Sequence, residues 1–394
     1  MPDTPTPARK RSRLGLFIMP GVLVVLAIGW TIFWFFASAQ VNTQFERWRA
    51  REAQSGREYS CGQLDVGGYP FRFEVRCRNA SVDLVSQTAS RKFGKGELSE
   101  IRAVAQIYKP SLLIAEFDGP LTVTEQGEQH ALIVNWSNAR SSVFGLPVSP
   151  QRMSLEVDNI TLERSNGSER APVAKAKKSE LHGRIAEGSA AANPVIEVVW
   201  RLTQASADPL HPALGEAFDM AAQARLSGLK DFRPKRWPER FKEIQAANGR
   251  IELQQSRLQQ GNLIAVATGS LGITPDGMLD GELQMVVAGM DKVVPALGLD
   301  KILEQGVSQE TLDRLAPGLK ADQVDKAMGA LDKLLPGLGN VVRRQAPAAL
   351  SAGVQMIGQK TTLEGKPAQA FPLRFVDGSV YLGPIRVGHT PPLF

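Results

Sequence analysis

Cysteine is nearly missing: Cys61 and Cys77 are the only two in 394 residues. Histidine is almost as scarce, and His130, His182, His211 and His389 fall at no spacing that would gather metal ligands. No His-Glu-x-x-His, no Gly-x-Ser-x-Gly nucleophile turn and no Walker loop occurs. These gaps leave no motif for zinc-dependent hydrolysis, serine acyl transfer or nucleotide hydrolysis. The chain is therefore read as a non-enzyme with no cofactor and no metal. Aromatics are sparse at 7%, while 36 glycines and 25 prolines imply many turns. A long basic stretch is also lacking. The formal charge is +6, but residues 1–13 hold four of the cations and one Asp, leaving 42 Lys and Arg against 39 Asp and Glu. Nothing after that tail could track a phosphate backbone, so no nucleic-acid partner is expected.

What the sequence does have is one long apolar run. The tail (1–13) carries Arg9, Lys10, Arg11 and Arg13, and the stretch from Leu14 to Ala39 then holds no charge. About 20 such residues cross a bilayer as a helix, and the cations keep their end in the cytoplasm. Trp30, Trp34 and neighbouring phenylalanines suit an interfacial belt. Ala37-Ser38-Ala39 has the form of a signal-peptidase site, but signal cores run about 7–15 residues. The expectation is an uncleaved single-pass anchor (14–39) with the body outside the cytoplasm. Residues 40–56 place Val41, Phe45 and Trp48 on one helical face, a juxtamembrane helix that packs on the body and stops near Gly56.

In an oxidising compartment two lone cysteines pair. Phe71, Phe73, Val75 and Cys77 alternate with Arg72, Glu74 and Arg76, the pattern of a half-buried strand. A bulge near Gly62 would bring Cys61 across a Gly67-Gly68-Tyr69-Pro70 turn from Cys77, within disulfide reach. A metal site would need more ligands, and a redox dithiol closer spacing.

The anchor, the block "GREYSCGQLDVGGYPFRFEVRC", the segment "AQIYKPSLLIAEFDGPL" and the ending "FVDGSVYLGPIRVGHTPPLF" together resemble the alphaproteobacterial family known as domain of unknown function 2125. The resemblance implies a bacterial inner-membrane protein with a periplasmic body and no known activity. In its strand-rich style the chain is also similar, at the level of fold alone, to AsmA-like envelope proteins, which cradle lipid in a β-groove.

The fold class expected is α+β: one transmembrane helix, a mostly antiparallel β-rich body and a short helical segment near the C-terminus. Short alternating runs between turns fill an N-terminal lobe (57–165) and a second lobe (166–290). The Lys/Ala-rich stretch 164–180 reads as a long hairpin loop or a seam. Residues 238–247 read as a short helix with Pro238 in its first turn. Leu263–Ile273 and Leu279–Val287 read as a hairpin turning at Asp276-Gly277.

A repeat follows, "MDKVVPAL", "LDRLAPGL" and "LDKLLPGL", whose prolines cut 291–357 into short amphipathic helices. Val293, Leu315 and Leu334 are the candidate lining of an apolar groove that these helices would cover. Strands close the chain (358–394), and "FPLRF" echoes "YPFRF". The functional expectation is a membrane-anchored module binding phospholipid or another amphiphile in envelope maintenance. The alternative is a scaffold for other envelope proteins.

Overall fold

The computed structural model describes residues 14–84, 94–125, 130–146, 149–210, 214–289, 358–382 and 385–394. Its strands are β1 to β4 (Arg57–Gly67, Arg72–Leu84, Gly94–Gln106, Lys109–Glu125), β5 to β8 (His130–Asn135, Asn138–Phe144, Arg152–Asn166, Glu169–Ser189), β9 and β10 (Ala192–Ala205, Phe218–Leu226), β11 to β13 (Ile251–Gln260, Leu263–Ile273, Leu279–Ala288) and β14 to β17 (Gln359–Leu363, Lys366–Val376, Ser379–Leu382, Ile385–His389). Helix α1 covers Leu14–Ala53 and helix α2 covers Trp237–Ala246. The short helix thus lies mid-chain rather than near the C-terminus. The expected helical segment 291–357, with Val293, Leu315 and Leu334, is outside the described residues.

All the strands belong to one sheet, and every pairing is antiparallel. Each strand pairs with the next along most of the chain, with two departures. β4 is long enough to take β5 beside Leu121–Thr124 and β6 beside Leu112–Glu116, and both then pair with β7. Near the end, β15 lies between β13 on one side and both β14 and β16, end to end, on the other. Pro372 sits in the gap between the last β14 pair and the first β16 pair, where its missing N–H leaves no ladder bond unmade. "FPLRF" is therefore mid-strand, whereas "YPFRF" is a hairpin tip. The echo does not mark two equivalent hairpins.

Stretch 164–180 is strand, not loop or seam: β7 and β8 run on to Asn166 and Glu169 around Gly167, which has a φ of 64°. Both faces are exposed from Glu169 to Pro172, and beyond buried Val173 the exposed Lys175 and Lys177 alternate with half-buried Ala174 and Ala176. The hairpin of β12 and β13 matches expectation, turning through Asp276 and Gly277.

A line of irregular positions crosses the first strands. Gly62 and Asn79, the latter in the left-handed region at φ 50°, drop out of the β1–β2 ladder. The β3–β4 register shifts between Leu98 and Glu100, and Asn159 of β7 is again left-handed. Trp136, between β5 and β6, donates to the Phe117 carbonyl at 2.9 Å and lies over Gly119, where a Cβ would come within 3.3 Å of the indole. Such breaks bend strands and increase twist. The curl is wide enough that Arg57, at the start of the sheet, donates to the Lys235 carbonyl at 3.4 Å.

Helix α1 lies along the β1–β2 hairpin with its C-terminal half. Trp48 packs on Tyr59 at 4.7 Å between ring centroids, and Arg49 donates to the Tyr59 carbonyl at 2.7 Å. The face of Val41, Phe45 and Trp48 is half-buried, as its spacing predicts. The helix ends at Ala53, and Gly56 turns the chain with a φ of 77°. Residues from Phe17 to Phe36, apart from half-buried Thr31 and buried Trp34, form instead an exposed apolar surface, compatible with a single-pass anchor.

Candidate functional site

Cys61 and Cys77 are bonded, with Cα atoms 5.4 Å apart. Their register differs from the expected one. Cys61 stands opposite Ala80 and Cys77 opposite Leu64, so the bond runs diagonally across the break at Gly62 and Asn79. Its place is at a bend of the sheet, and it has no second thiol pair to exchange with: the sequence contains no further cysteine. It is a staple.

A concavity lies under α2. Pro238 pre-sets the first turn, and Trp237, Phe241 and Ile244 recur at i, i+4 and i+7 on one face. The helix is stopped by Asn248, left-handed at φ 48°. Gly249 follows, and a Cβ there would meet the Ser227 carbonyl oxygen at 2.5 Å. That close crossing holds the end of the helix against the end of β10.

Charges fix the other side. Arg240 donates to the Asp231 carbonyl and to Glu243 Oε1, each at 2.7 Å. Lys235 pairs with Glu243, whose Oε1 also accepts from the Lys230 backbone N–H at 2.6 Å. Burial opposes ionisation of Glu243, but Lys235, the Lys230 N–H and Arg240 outweigh it and hold the carboxyl below its ordinary value.

Between helix and sheet is a cavity of about 420 Å³. Leu226, Ile251, Leu271 and Ile273 form much of its floor, and Trp237, Phe241 and Ile244 its roof. Leu393 reaches in from the C-terminal segment, tied by its N–H to the Gly277 carbonyl at 2.9 Å. Trp237 is 64% exposed and Ile251 40% exposed, so the cavity has a mouth. Arg240 is the one charged residue in the lining among the described residues, and its guanidinium is committed to Asp231, Arg233 and Glu243. Water in such a space finds few hydrogen-bond partners, whereas an apolar group would regain dispersion contacts along every wall.

Sequence reasoning found this helix but not its role. The signal was the Trp-Phe-Ile stripe in "RWPERFKEIQ". The strand residues of the floor carry no comparable local mark.

One cluster has the geometry of a metal site among the described residues: Glu156, Glu180 and His182 can bring ligand atoms within 4.8 Å of one another. Lys178 already stands 2.7 Å from Glu180 and 3.4 Å from Glu156. Its ammonium supplies the positive charge these acids need, and its hydrogen bond keeps the Glu180 carboxyl below the ordinary carboxylate value. The cluster is a cross-strand ion pair on β7 and β8.

No curated protein matches the chain. A family model described as "Uncharacterized protein conserved in bacteria" matches residues 34–391, nearly the whole body and the second half of α1, and the chain belongs to that family, DUF2125.

Proposed function

We propose that this protein is a single-pass inner-membrane protein whose periplasmic body binds the apolar tail of a phospholipid or another amphiphile beneath α2, in the service of cell-envelope maintenance. The observation that carries the reading is the apolar, open-mouthed cavity. Its volume of about 420 Å³ lies within the roughly 300–1,000 Å³ of ordinary ligand pockets. Among the described residues its lining offers no nucleophile, no free acid–base pair and no ligand set, and binding without chemistry is the role we assign it. The uncharged run of α1, the cation cluster before it and the disulfide all support an oxidising space on the far side of a bacterial inner membrane. The likeness to AsmA-like envelope proteins is part of the same proposal and concerns fold style alone.

Native mass spectrometry of the full chain, released from detergent or nanodiscs, tests the reading. A stoichiometric adduct with the mass of a phospholipid or fatty acid is expected. A bare chain, or one bound only to another envelope protein, would overturn it in favour of a scaffold.

A further inference from the structure

Two hairpin tips next to α1 expose aromatic rings that the cavity does not use. The turn between β1 and β2 leaves Tyr69 50% and Phe71 65% exposed, and the turn between β3 and β4 leaves Tyr108 75% exposed. The tips are joined, since Ile107 donates its N–H to the Phe71 carbonyl at 3.0 Å.

The first of these tips is also tied to α1 at one level. Trp30 Nε1 donates to the Pro70 carbonyl at 3.0 Å, Thr31 Oγ1 and the Tyr69 hydroxyl are 2.8 Å apart, and Trp34 Nε1 donates to the Arg72 carbonyl at 3.2 Å. Trp34 is buried between Phe73, stacked at 5.8 Å, and Tyr69, edge-on at 5.5 Å.

The depth of that level follows from helix geometry. At ~1.5 Å per residue, Leu14 to Trp34 spans about 30 Å, the thickness of a hydrocarbon core. With the cations up to Arg13 held at the inner face, Trp30 to Trp34 reach the outer boundary. The β1–β2 tip bonded to them must be there too, and the β3–β4 tip, bonded to Phe71, lies beside it. Tyr and Trp favour that layer because their rings are apolar and their polar atoms still find partners. Arg72 and Lys109, both exposed, flank the tips and suit anionic headgroups.

We propose that the Gly67–Phe71 turn and the Ile107–Tyr108 turn insert into the outer headgroup layer of the bilayer that α1 spans. The body then rests on the membrane instead of standing clear of it on a stalk. This rests on α1 being membrane-embedded, and the test separates the two.

The full chain in phospholipid nanodiscs is labelled with nitrobenzoxadiazole at single introduced thiols, Cys61 and Cys77 being protected by their bond. The sites are Tyr108→Cys, Phe71→Cys, Phe33→Cys within the apolar run, and Ser168→Cys at the opposite end of the β7 strand. Phospholipid carrying a nitroxide near the ester carbonyls is the quencher. The labels at 108 and 71 should lose most of their emission, the label at 33 should be quenched, and the label at 168 should keep its emission. Labels at 71 and 108 as bright as the one at 168, with 33 quenched, would overturn the proposal while leaving α1 in the bilayer. An unquenched label at 33 would remove the membrane-spanning reading and the proposal with it. Melting curves matching the wild type show that each variant is folded, and the two tip positions serve as independent readings.

Discussion

Glu74 shows how a single residue can depart from its strand pattern for a physical reason. Alternation places it on the open face with Arg72 and Arg76, yet it is 5% exposed. The two arginines, at i−2 and i+2 on that face, close over it with contacts of 2.9 Å and 2.5 Å. A charge can be covered in this way only when it is paired. The cysteines were legible from alternation and compartment. Their diagonal register was not, because it depends on Asn79 adopting a left-handed conformation that its identity permits but does not require. Native protein should take up no thiol reagent until reduced. Cys61→Ser and Cys77→Ser should each cost a similar amount, at or below the roughly 2–5 kcal/mol seen for small domains. Equal labelling before and after reduction would show the bond absent. Glu243 gives a second test at this scale. Its folded value lies below the ordinary 4.5, so its contribution is complete above that pH and is lost as pH falls through the folded value. Thermal melting should drop as pH falls below the ordinary 4.5, and Glu243→Gln should melt lower at neutral pH and show a shallower drop. An unchanged pH profile would mean that the Lys235 and Arg240 contacts contribute nothing.

Among the elements, the hairpin at Asp276-Gly277 and the helix at Pro238 were plain in the sequence, since each combines periodicity with its own stop signal. Stretch 164–180 was not. Lys and Ala are poor strand formers, and it is pairing with β7 from Glu169 onward, joined by β9 only from Lys178, that makes this part of β8 a strand. For α2 the apolar face decides stability, because a ten-residue helix is marginal alone. Ile244, 5% exposed, is its deepest anchor, so Ile244→Ala should cost about 2–5 kcal/mol in chemical denaturation. A loss within experimental error would show that the ion pairs alone hold the helix.

For the whole molecule, the alternating runs foretold a β-rich body, and the single sheet agrees, while the N-terminal apolar helix is compatible with the expected anchor. The topology was out of reach of local reading: nothing in β4 announces that two successive strands will share it, and Pro372 suggests a break that is instead a change of partner. The cavity was equally hidden, because its walls come from four strands, a helix and the C-terminal segment, brought together only by the curl. Topology has its own check, a reporter active only outside the cytoplasm fused after Phe394. It should be active, and neutral residues at Arg9, Lys10, Arg11 and Arg13 should reduce correct insertion. An inactive reporter in the wild type would place the body in the cytoplasm. The most direct measurement is a comparison of co-purified lipid, by native mass spectrometry, between the wild type and Leu271→Trp, which fills the cavity from its floor without adding charge. The expected result is a lipid adduct on the wild type and none on a variant with an unchanged melting curve. A bare wild type, or a folded variant that keeps its lipid in full, would contradict binding beneath α2.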